Sequence, residues 1–453
     1  MLSRIHKYSQ GDSYILLDVN SGSVHVIDRL TYDILDTFTG TNDDAVIAAW
    51  QDKYDTREIR ETLAELHELM AEGALFAPEI EAVPSFGQTG VVKSLCLMVA
   101  QDCNLRCKYC FGDGGSYGEH RALMTPEIGR AAVDYLIRSS QNRKHLEIDF
   151  FGGEPLINFA TVRSVTEYAR QKEADTGKKF KLTLTTNGIL LSEATISWLN
   201  ENNISLVLSL DGRQEIHDRM RPDAQGHGSY ARAVANFRRL VESRKGQDYF
   251  LRGTYTRQNL DFTQDVVAMY EAGFDILSVE PVVLKDSPLA IREEDLPQLY
   301  AEYDRLAQTY LEYRRAGKSF FFFHFNMDLA GGPCVAKRLA GCGAGHEYMA
   351  VAADGTLYPC HQFVGRDKYR LGHITTGVDS DYWPNYFRES HVLNKPKCRD
   401  CWARFYCSGG CHANADLFHG DIREPYELGC KIQKKRLETA IYVQAQLALE
   451  NRE

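Results

Sequence analysis

Cys103-Asn104-Leu105-Arg106-Cys107-Lys108-Tyr109-Cys110 sets three thiols apart by three and then two residues. Three thiolates at that spacing can wrap one face of an iron–sulfur cube and leave the fourth iron without a protein ligand. Such clusters are ordinarily held by four cysteines, so a trio predicts chemistry at the vacant corner, where a small molecule could chelate and be reduced. A structural zinc site short of one ligand is the rival reading, and it is disfavoured because structural zinc wants four closed ligands.

Around this loop, from about residue 92 to 318, strand and helix patterns alternate. Candidate strands are Ser94–Val99, Leu146–Phe151, Lys181–Thr185, Ser205–Leu210, Leu251–Thr256 and Ile276–Val279. A helix-period stretch, Thr125–Arg138, has Thr125 placed to cap and Pro126 at the first helical position. Such alternation predicts a parallel sheet, and parallel barrels do their chemistry at the C-terminal ends of their strands. The cysteine loop follows the first strand, Gly152-Gly153-Glu154-Pro155 the second and Asn187-Gly188 the third. The glycines permit close backbone approach to a ligand, and Glu154 can accept from an ammonium.

The cysteine trio, its Lys108-Tyr109 and the later Gly-Gly-Glu-Pro resemble the radical S-adenosylmethionine (SAM) enzymes. The resemblance implies an α/β fold built on a partial (β/α)6 barrel. It also implies that SAM chelates the bare iron through its amino and carboxylate groups, and that an electron from the cluster releases a 5′-deoxyadenosyl radical. Carried over residue by residue, Cys103, Cys107 and Cys110 hold the radical-generating cluster, and Gly152, Gly153 and Glu154 face the amino end of SAM. Ser209, in Ser209-Leu210-Asp211-Gly212, and Arg221, in His217-Asp218-Arg219-Met220-Arg221-Pro222, match positions that hold its carboxylate, a role that suits arginine's paired donors. Asn187 matches a ribose contact.

Twelve cysteines divide into four between 96 and 110 and eight between 334 and 430. In a reducing compartment that usage favours metal over disulfides. Cys342 is followed by twelve residues, Gly355, four residues and Cys360; Cys398, Cys401, Cys407, Cys411 and Cys430 complete a seven-cysteine run. Cys398-Arg399-Asp400-Cys401 alone would fit a zinc ribbon, but the whole run resembles the SPASM extension of peptide-modifying radical SAM enzymes. That resemblance assigns Cys342, Cys360 and Cys411 to auxiliary cluster I and Cys398, Cys401, Cys407 and Cys430 to auxiliary cluster II, making three [4Fe–4S] clusters in all. Cys334 lies outside the seven-cysteine pattern; it is either the fourth ligand of cluster I or its absence from the ligand set leaves an open iron. Cys96, within a strand, reads as a buried apolar residue. His361 and His324 could touch a cluster or substrate, yet such residues more often pack or hydrogen-bond locally. The segment from 319 to 453 shows little regular pattern until a closing helix near Leu428–Leu449, and it is expected to depend on metal for folding.

Residues 1–85 form a unit of their own. Ser13–Asp18 and Ser23–Asp28 flank Val19-Asn20-Ser21-Gly22, a hairpin signal. A later helix places Ile59, Leu63, Leu66 and Met70 on one face before Gly73. A hairpin followed by three helices is similar to the winged-helix-like domain that recognises leader peptides; a packing appendage is the alternative. Pro84–Gly90 reads as a linker.

A net charge of −10 argues against general affinity for phosphate backbones or anionic membranes. Lys431-Ile432-Gln433-Lys434-Lys435-Arg436 reads as a solvated helix face. With no apolar run near the roughly 18 residues of a bilayer span and no signal-peptide core, a cytoplasmic location is expected.

Ile5-His6-Lys7-Tyr8, Leu17–Gly22, Gly332-Pro333-Cys334 and Tyr358-Pro359-Cys360-His361-Gln362-Phe363 resemble maturases of SCIFF (six-cysteine) peptides, which make Cys-to-Thr thioethers. The implied partners are a Cys-rich ribosomal precursor peptide with a leader and a low-potential electron donor such as flavodoxin or ferredoxin. Oxidation of a cysteine to formylglycine, as in anaerobic sulfatase maturation, and a non-catalytic iron–sulfur electron carrier are the alternatives.

Overall fold

The computed structural model describes residues 4–79, 91–118, 120–329, 332–333, 339 and 341–450. Cys334 and the expected linker at 84–90 lie outside the described residues.

The N-terminal unit opens with three antiparallel strands in the order β1 (Ile5–Gln10), β2 (Ser13–Asp18) and β3 (Val24–Ile27). The hairpin expected from Val19–Gly22 joins β2 to β3. Its turn is organised by the buried Asp18 carboxylate, which accepts from the Ser21 amide at 2.8 Å and the Ser21 hydroxyl at 2.9 Å. β1 precedes the hairpin and was not anticipated. Helices α1 (Arg29–Ile34), α2 (Asp43–Trp50) and α3 (Thr56–Ala71) follow. α3 starts at an Asp55 cap and buries Ile59, Leu63 and Leu66 against the sheet, Ile34, Leu35, Phe38 and Val46.

Six parallel strands form the centre: β4 (Ser94–Ala100), β5 (His145–Gly152), β6 (Lys179–Thr186), β7 (Ser205–Ser209), β8 (Tyr249–Tyr255) and β9 (Ile276–Pro281), adjacent in chain order. Each of the six expected strands lies here, with ends shifted by at most two residues. The crossovers are helical: α4 (Pro126–Ser139), α5 (Phe159–Thr176), α6 (Glu193–Glu201), α7 (Gln214–Met220), α8 (Tyr230–Ser243) and α9 (Phe262–Glu271). α4 starts as expected, with the Thr125 side chain accepting from the Ile128 amide and Pro126 in the first turn. β4 is buried along its whole length, the mark of a strand covered on both faces. The partial (β/α)6 barrel is therefore present.

Past residue 318 the sheet continues rather than stops. β10 (Phe321–Phe322) adds to β9 in parallel. At the opposite edge β11 (Tyr348–Val351) pairs in parallel with β4, and β12 (Thr356–Tyr358), β13 (Gly372–His373) and β14 (Gly377–Val378) extend it antiparallel, giving eleven strands. The cysteine-rich segment is thus joined to the barrel through β4, the strand that delivers the Cys103 loop.

The closing helix, Glu427–Glu450, crosses the long helix α10 (Leu296–Arg315). Lys435 pairs with Asp304 and Arg315 with Glu450. The same helix receives the N-terminal unit: His6 Nε2 lies 2.8 Å from Glu438, and Tyr8 donates to the Glu438 carbonyl at 2.7 Å. The His6 ring also stacks on Trp402, with centroids 3.9 Å apart and planes 4° from parallel. No described helix is long and apolar enough to cross a membrane.

Candidate active site

The cysteine loop leaves the C-terminal end of β4 and is fused to the next loop by main-chain bonds. The Gly153 amide donates to the Ala100 carbonyl at 2.8 Å and the Glu154 amide to Asp102 at 2.9 Å. Nothing larger than glycine fits: a Cβ on Gly152, whose φ is +129°, would stand 2.2 Å from the Ala100 oxygen, and one on Gly153 would stand 2.1 Å from the Asp102 oxygen. From the other side the loop is held by the end of α7, where the amides of Arg106 and Lys108 donate to the Pro222 and Met220 carbonyls at 2.8 and 2.9 Å.

Asp211, fully buried after β7, ties these parts together. It accepts from the Tyr109 hydroxyl at 2.5 Å, Arg221 Nε at 3.0 Å and the Thr254 amide at 3.0 Å. Tyr109 is the residue before Cys110, so the loop, α7 and β8 meet on one carboxylate. Arg221 lines the main cavity, and Asp211 engages only its Nε among the described residues, which leaves the terminal amino groups for a ligand.

Glu154 is fully buried and spends its carboxylate within the protein. It accepts from the Leu156 amide at 3.1 Å, the Thr186 hydroxyl at 2.8 Å and the Asn187 amide at 2.8 Å. Burial pushes its pKa up to about 7, against the lowering effect of those bonds. Its place is therefore a bracket between the β5 and β6 ends. Asn187 in turn donates to Asn104 at 2.8 Å and lies 3.7 Å from Cys103 Sγ.

Cys103, Cys107, Cys110, Gly152, Gly153, Asn187, Ser209 and Arg221 line one wall of a cavity of about 1030 Å³. Cys407, Cys411 and Cys430 line the same cavity. The remaining thiols sort by proximity. Cys398, Cys401, Cys407 and Cys430 line a second pocket of about 210 Å³. Cys360 feels the charges of Cys411 and Cys342. All eleven described cysteines are free thiols. Burial pushes Cys103 up to about 12 and Cys107 to about 11, so only a strong Lewis acid would hold them as thiolates. Among the described residues no three His, Cys, Asp or Glu side chains converge on one ion. A cluster has no such requirement, since each thiolate binds a different iron. A second observation favours clusters: Lys395 is fully buried beside these sulfurs, and thiolates would supply the negative charge it needs.

Sequence reasoning did not find the charged group that also lines the cavity. Arg436 pairs with Glu280 at 2.8 Å, and His324 lies 3.4 Å from the same carboxylate. Arg252 also lines the cavity; its side chain makes no ion pair with a described residue, though its charge acts on Glu280. Arg436 belongs to the basic run expected to be a solvated face; it is instead largely buried, while Lys431 and Lys435 pair with Glu293 and Asp304. His361 also lines the cavity, 3.0 Å from the Tyr348 hydroxyl and against the Phe151 ring, and burial lowers its pKa to about 4. Cys96 is buried in β4, as expected.

Comparison with known proteins agrees with this geometry. Residues 89–235 match a 4Fe-4S single cluster domain, and residues 342–402 match SPASM, an iron–sulfur cluster-binding domain. A cysteine-type anaerobic sulfatase-maturating enzyme of Clostridium novyi is 23% identical over 72% of this chain and 90% of its own. The radical SAM cyclopropyl synthase TigE of Paramaledivibacter caminithermalis is 20% identical over 76% of this chain and 72% of its own. Among solved structures, anSMEcpe with bound AdoMet superposes with a TM-score of 0.66 at 22% identity, covering 78% of this chain and 99% of that one. Streptococcus suis SuiB bound to S-adenosylmethionine gives 0.53 at 17% identity, covering 93% and 97%. In cysteine loop, barrel and second thiol cluster together, this chain is similar to the radical SAM enzymes that carry a SPASM iron–sulfur extension.

Proposed function

We propose that the protein installs intramolecular thioether cross-links, from cysteine sulfur to the carbon of an acceptor such as Thr, in a Cys-rich ribosomal precursor peptide. The observation that carries this reading is that Cys103, Cys107 and Cys110 line the same cavity as Cys407, Cys411 and Cys430. Joining sulfur to carbon is a net two-electron oxidation, so a substrate held between the radical source and the auxiliary thiols has an electron acceptor beside it.

Three [4Fe–4S] clusters are assigned to the thiol groups, with a flavodoxin or ferredoxin as the external donor. When bound, SAM and the first cluster supply the radical that takes hydrogen from a substrate carbon. The protein's share is placement. Gly152 and Gly153 bring main chain to the ligand's amino end; Ser209 and the free Arg221 nitrogens receive its carboxylate; Asn187, pinned by Glu154, meets the ribose. The N-terminal unit is assigned to the leader. Its β3 has a partner on one side only, and a peptide strand can add at such an edge. SuiB, solved also with the precursor peptide SuiA, covers nearly the whole chain, whereas the anSMEcpe structure leaves about a fifth of it unmatched.

The test is a mass spectrum after anaerobic reaction with a Cys-rich precursor. The expected product is lighter by two hydrogens per cross-link, with one cysteine fewer open to alkylation each time. Loss of hydrogen with every cysteine still alkylatable contradicts thioether formation. Loss of sulfur from the product would favour formylglycine chemistry, and a reduced protein that releases no deoxyadenosine would be an electron carrier.

A further inference from the structure

Lys395 is the only buried lysine among the described residues, and its side chain is fully enclosed. It sits at the start of the short helix Pro396–Arg399, where its carbonyl accepts from the Cys398 amide at 2.9 Å. Its ammonium donates to the Gly409 carbonyl at 3.1 Å. Gly409 lies in Cys407-Ser408-Gly409-Gly410-Cys411, the loop joining one thiol group to the other, and a Cβ on Gly409 would stand 3.5 Å from Nζ.

No described Asp or Glu forms an ion pair with Lys395. The nearest charges are sulfurs: Cys398, Cys407 and Cys430 of one group and Cys411 of the other. A buried ammonium with one hydrogen bond and no counter-charge is strongly unfavourable. Neutral thiols do not relieve it, whereas cluster-bound thiolates do. The other cations act on one group alone: Lys434 on Cys398 and Cys430 and Arg436 on Cys407, all of one group, while burial disfavours the charged forms of His412 and His391.

We propose that Lys395 is a positioning residue for electron transfer, a single cation shared by the two auxiliary clusters that stabilises their reduced state and sets the potential at which they take the substrate's electron. The inference rests on the reading that both thiol groups hold clusters. In the step concerned, a [4Fe–4S]2+ cluster gains one electron, the substrate carbon radical loses it as the sulfur–carbon bond forms, and the thiol proton leaves to solvent.

The test compares reconstituted wild-type, Lys395→Met and Lys395→Arg enzymes by iron and sulfide content and by EPR-monitored redox titration. With effective dielectric about 20, a unit charge about 12 Å from the added electron changes a one-electron equilibrium by about tenfold, equivalent to about 59 mV. Lys395→Met should lower the auxiliary potentials by about that much, leave the SAM-cleaving cluster unmoved and keep its iron, and Lys395→Arg should restore the wild-type value. Full iron with unmoved potentials in Lys395→Met overturns the proposal. If Lys395→Met loses auxiliary iron while Lys395→Arg keeps both iron and potential, charge is what the site needs and the proposal stands; if both lose it, shape alone matters and the proposal fails. A wild-type enzyme with no auxiliary iron would overturn the cluster reading itself.

Discussion

The buried Asp211–Arg221–Tyr109 junction gives the sharpest test of how the fold holds the first cluster. Asp211 is fully enclosed and the Arg221 side chain is 11% exposed, so water does little to screen the pair. Changing Asp211 to Asn leaves a guanidinium buried without its counter-charge and weakens the bonds from Tyr109 and the Thr254 amide. Removing one partner of a buried ion pair costs about 3–5 kcal/mol, far above the 1 kcal/mol or less typical of an exposed pair. Arg221→Met should cost a comparable amount, because it strands the carboxylate. The double variant should recover much of the loss, since neither buried charge remains, giving a coupling of about 1–3 kcal/mol.

Denaturant unfolding of the reconstituted protein supplies the four free energies. Iron content and SAM cleavage after reconstitution report on the loop itself, because Tyr109 is the neighbour of Cys110. Asp211→Asn is expected to lower iron occupancy of the radical-generating site while the auxiliary groups keep theirs. Arg221→Met should in addition weaken SAM binding even in molecules that hold the cluster. Single variants that each cost under about 1 kcal/mol and add without coupling would refute the idea that this carboxylate organises the site.

Two further outcomes follow from the same geometry. Gly153→Ala would place a methyl 2.1 Å from the Asp102 oxygen and 2.9 Å from Cys103 Cβ; it should displace the cysteine loop and empty the first cluster by iron analysis, with the auxiliary iron retained. The Glu154 carboxyl, raised from its ordinary 4.5 to about 7, supports folding fully below its unfolded value and loses that contribution as pH rises through 7. At about 1.4 kcal/mol per pH unit, the stability of wild type relative to Glu154→Gln should fall by roughly 3 kcal/mol between about pH 4.5 and 7, measured by denaturant titration of the reconstituted protein; a flat difference would contradict the burial argument.

The barrel was legible because its signals are local. Six runs of apolar residues separated by helical patterns give a parallel sheet by alternation alone, and Cys103, Cys107 and Cys110 owe their meaning to spacing within one loop. The strands of the cysteine-rich segment were not legible, because β11 to β14 span two to four residues each, too short for any period to register. β11 belongs to the sheet through pairing with β4, a partner more than two hundred residues away. β1 was missed for a related reason: its burial is mixed along its length, and it is fixed by pairing with β2 rather than by a clean alternation.

The harder case is charge. Arg436 and Lys395 look in sequence like any other surface cation, one in a basic run and the other beside a proline. Each takes its role from a partner remote in the chain or from sulfurs gathered by the fold: Arg436 from Glu280, 156 residues away, Lys395 from cysteines on both sides of the Gly409 loop. Arg252 is the reverse case, a cavity-lining cation whose charge acts on Glu280 with no direct ion pair among the described residues. Motif spacing therefore identifies the groups that hold cofactors, because a cofactor imposes its own geometry on a short loop. The residues that adjust its potential or receive the peptide answer to no such local rule. They become visible only when burial and missing counter-charges are read side by side, as they are at Lys395.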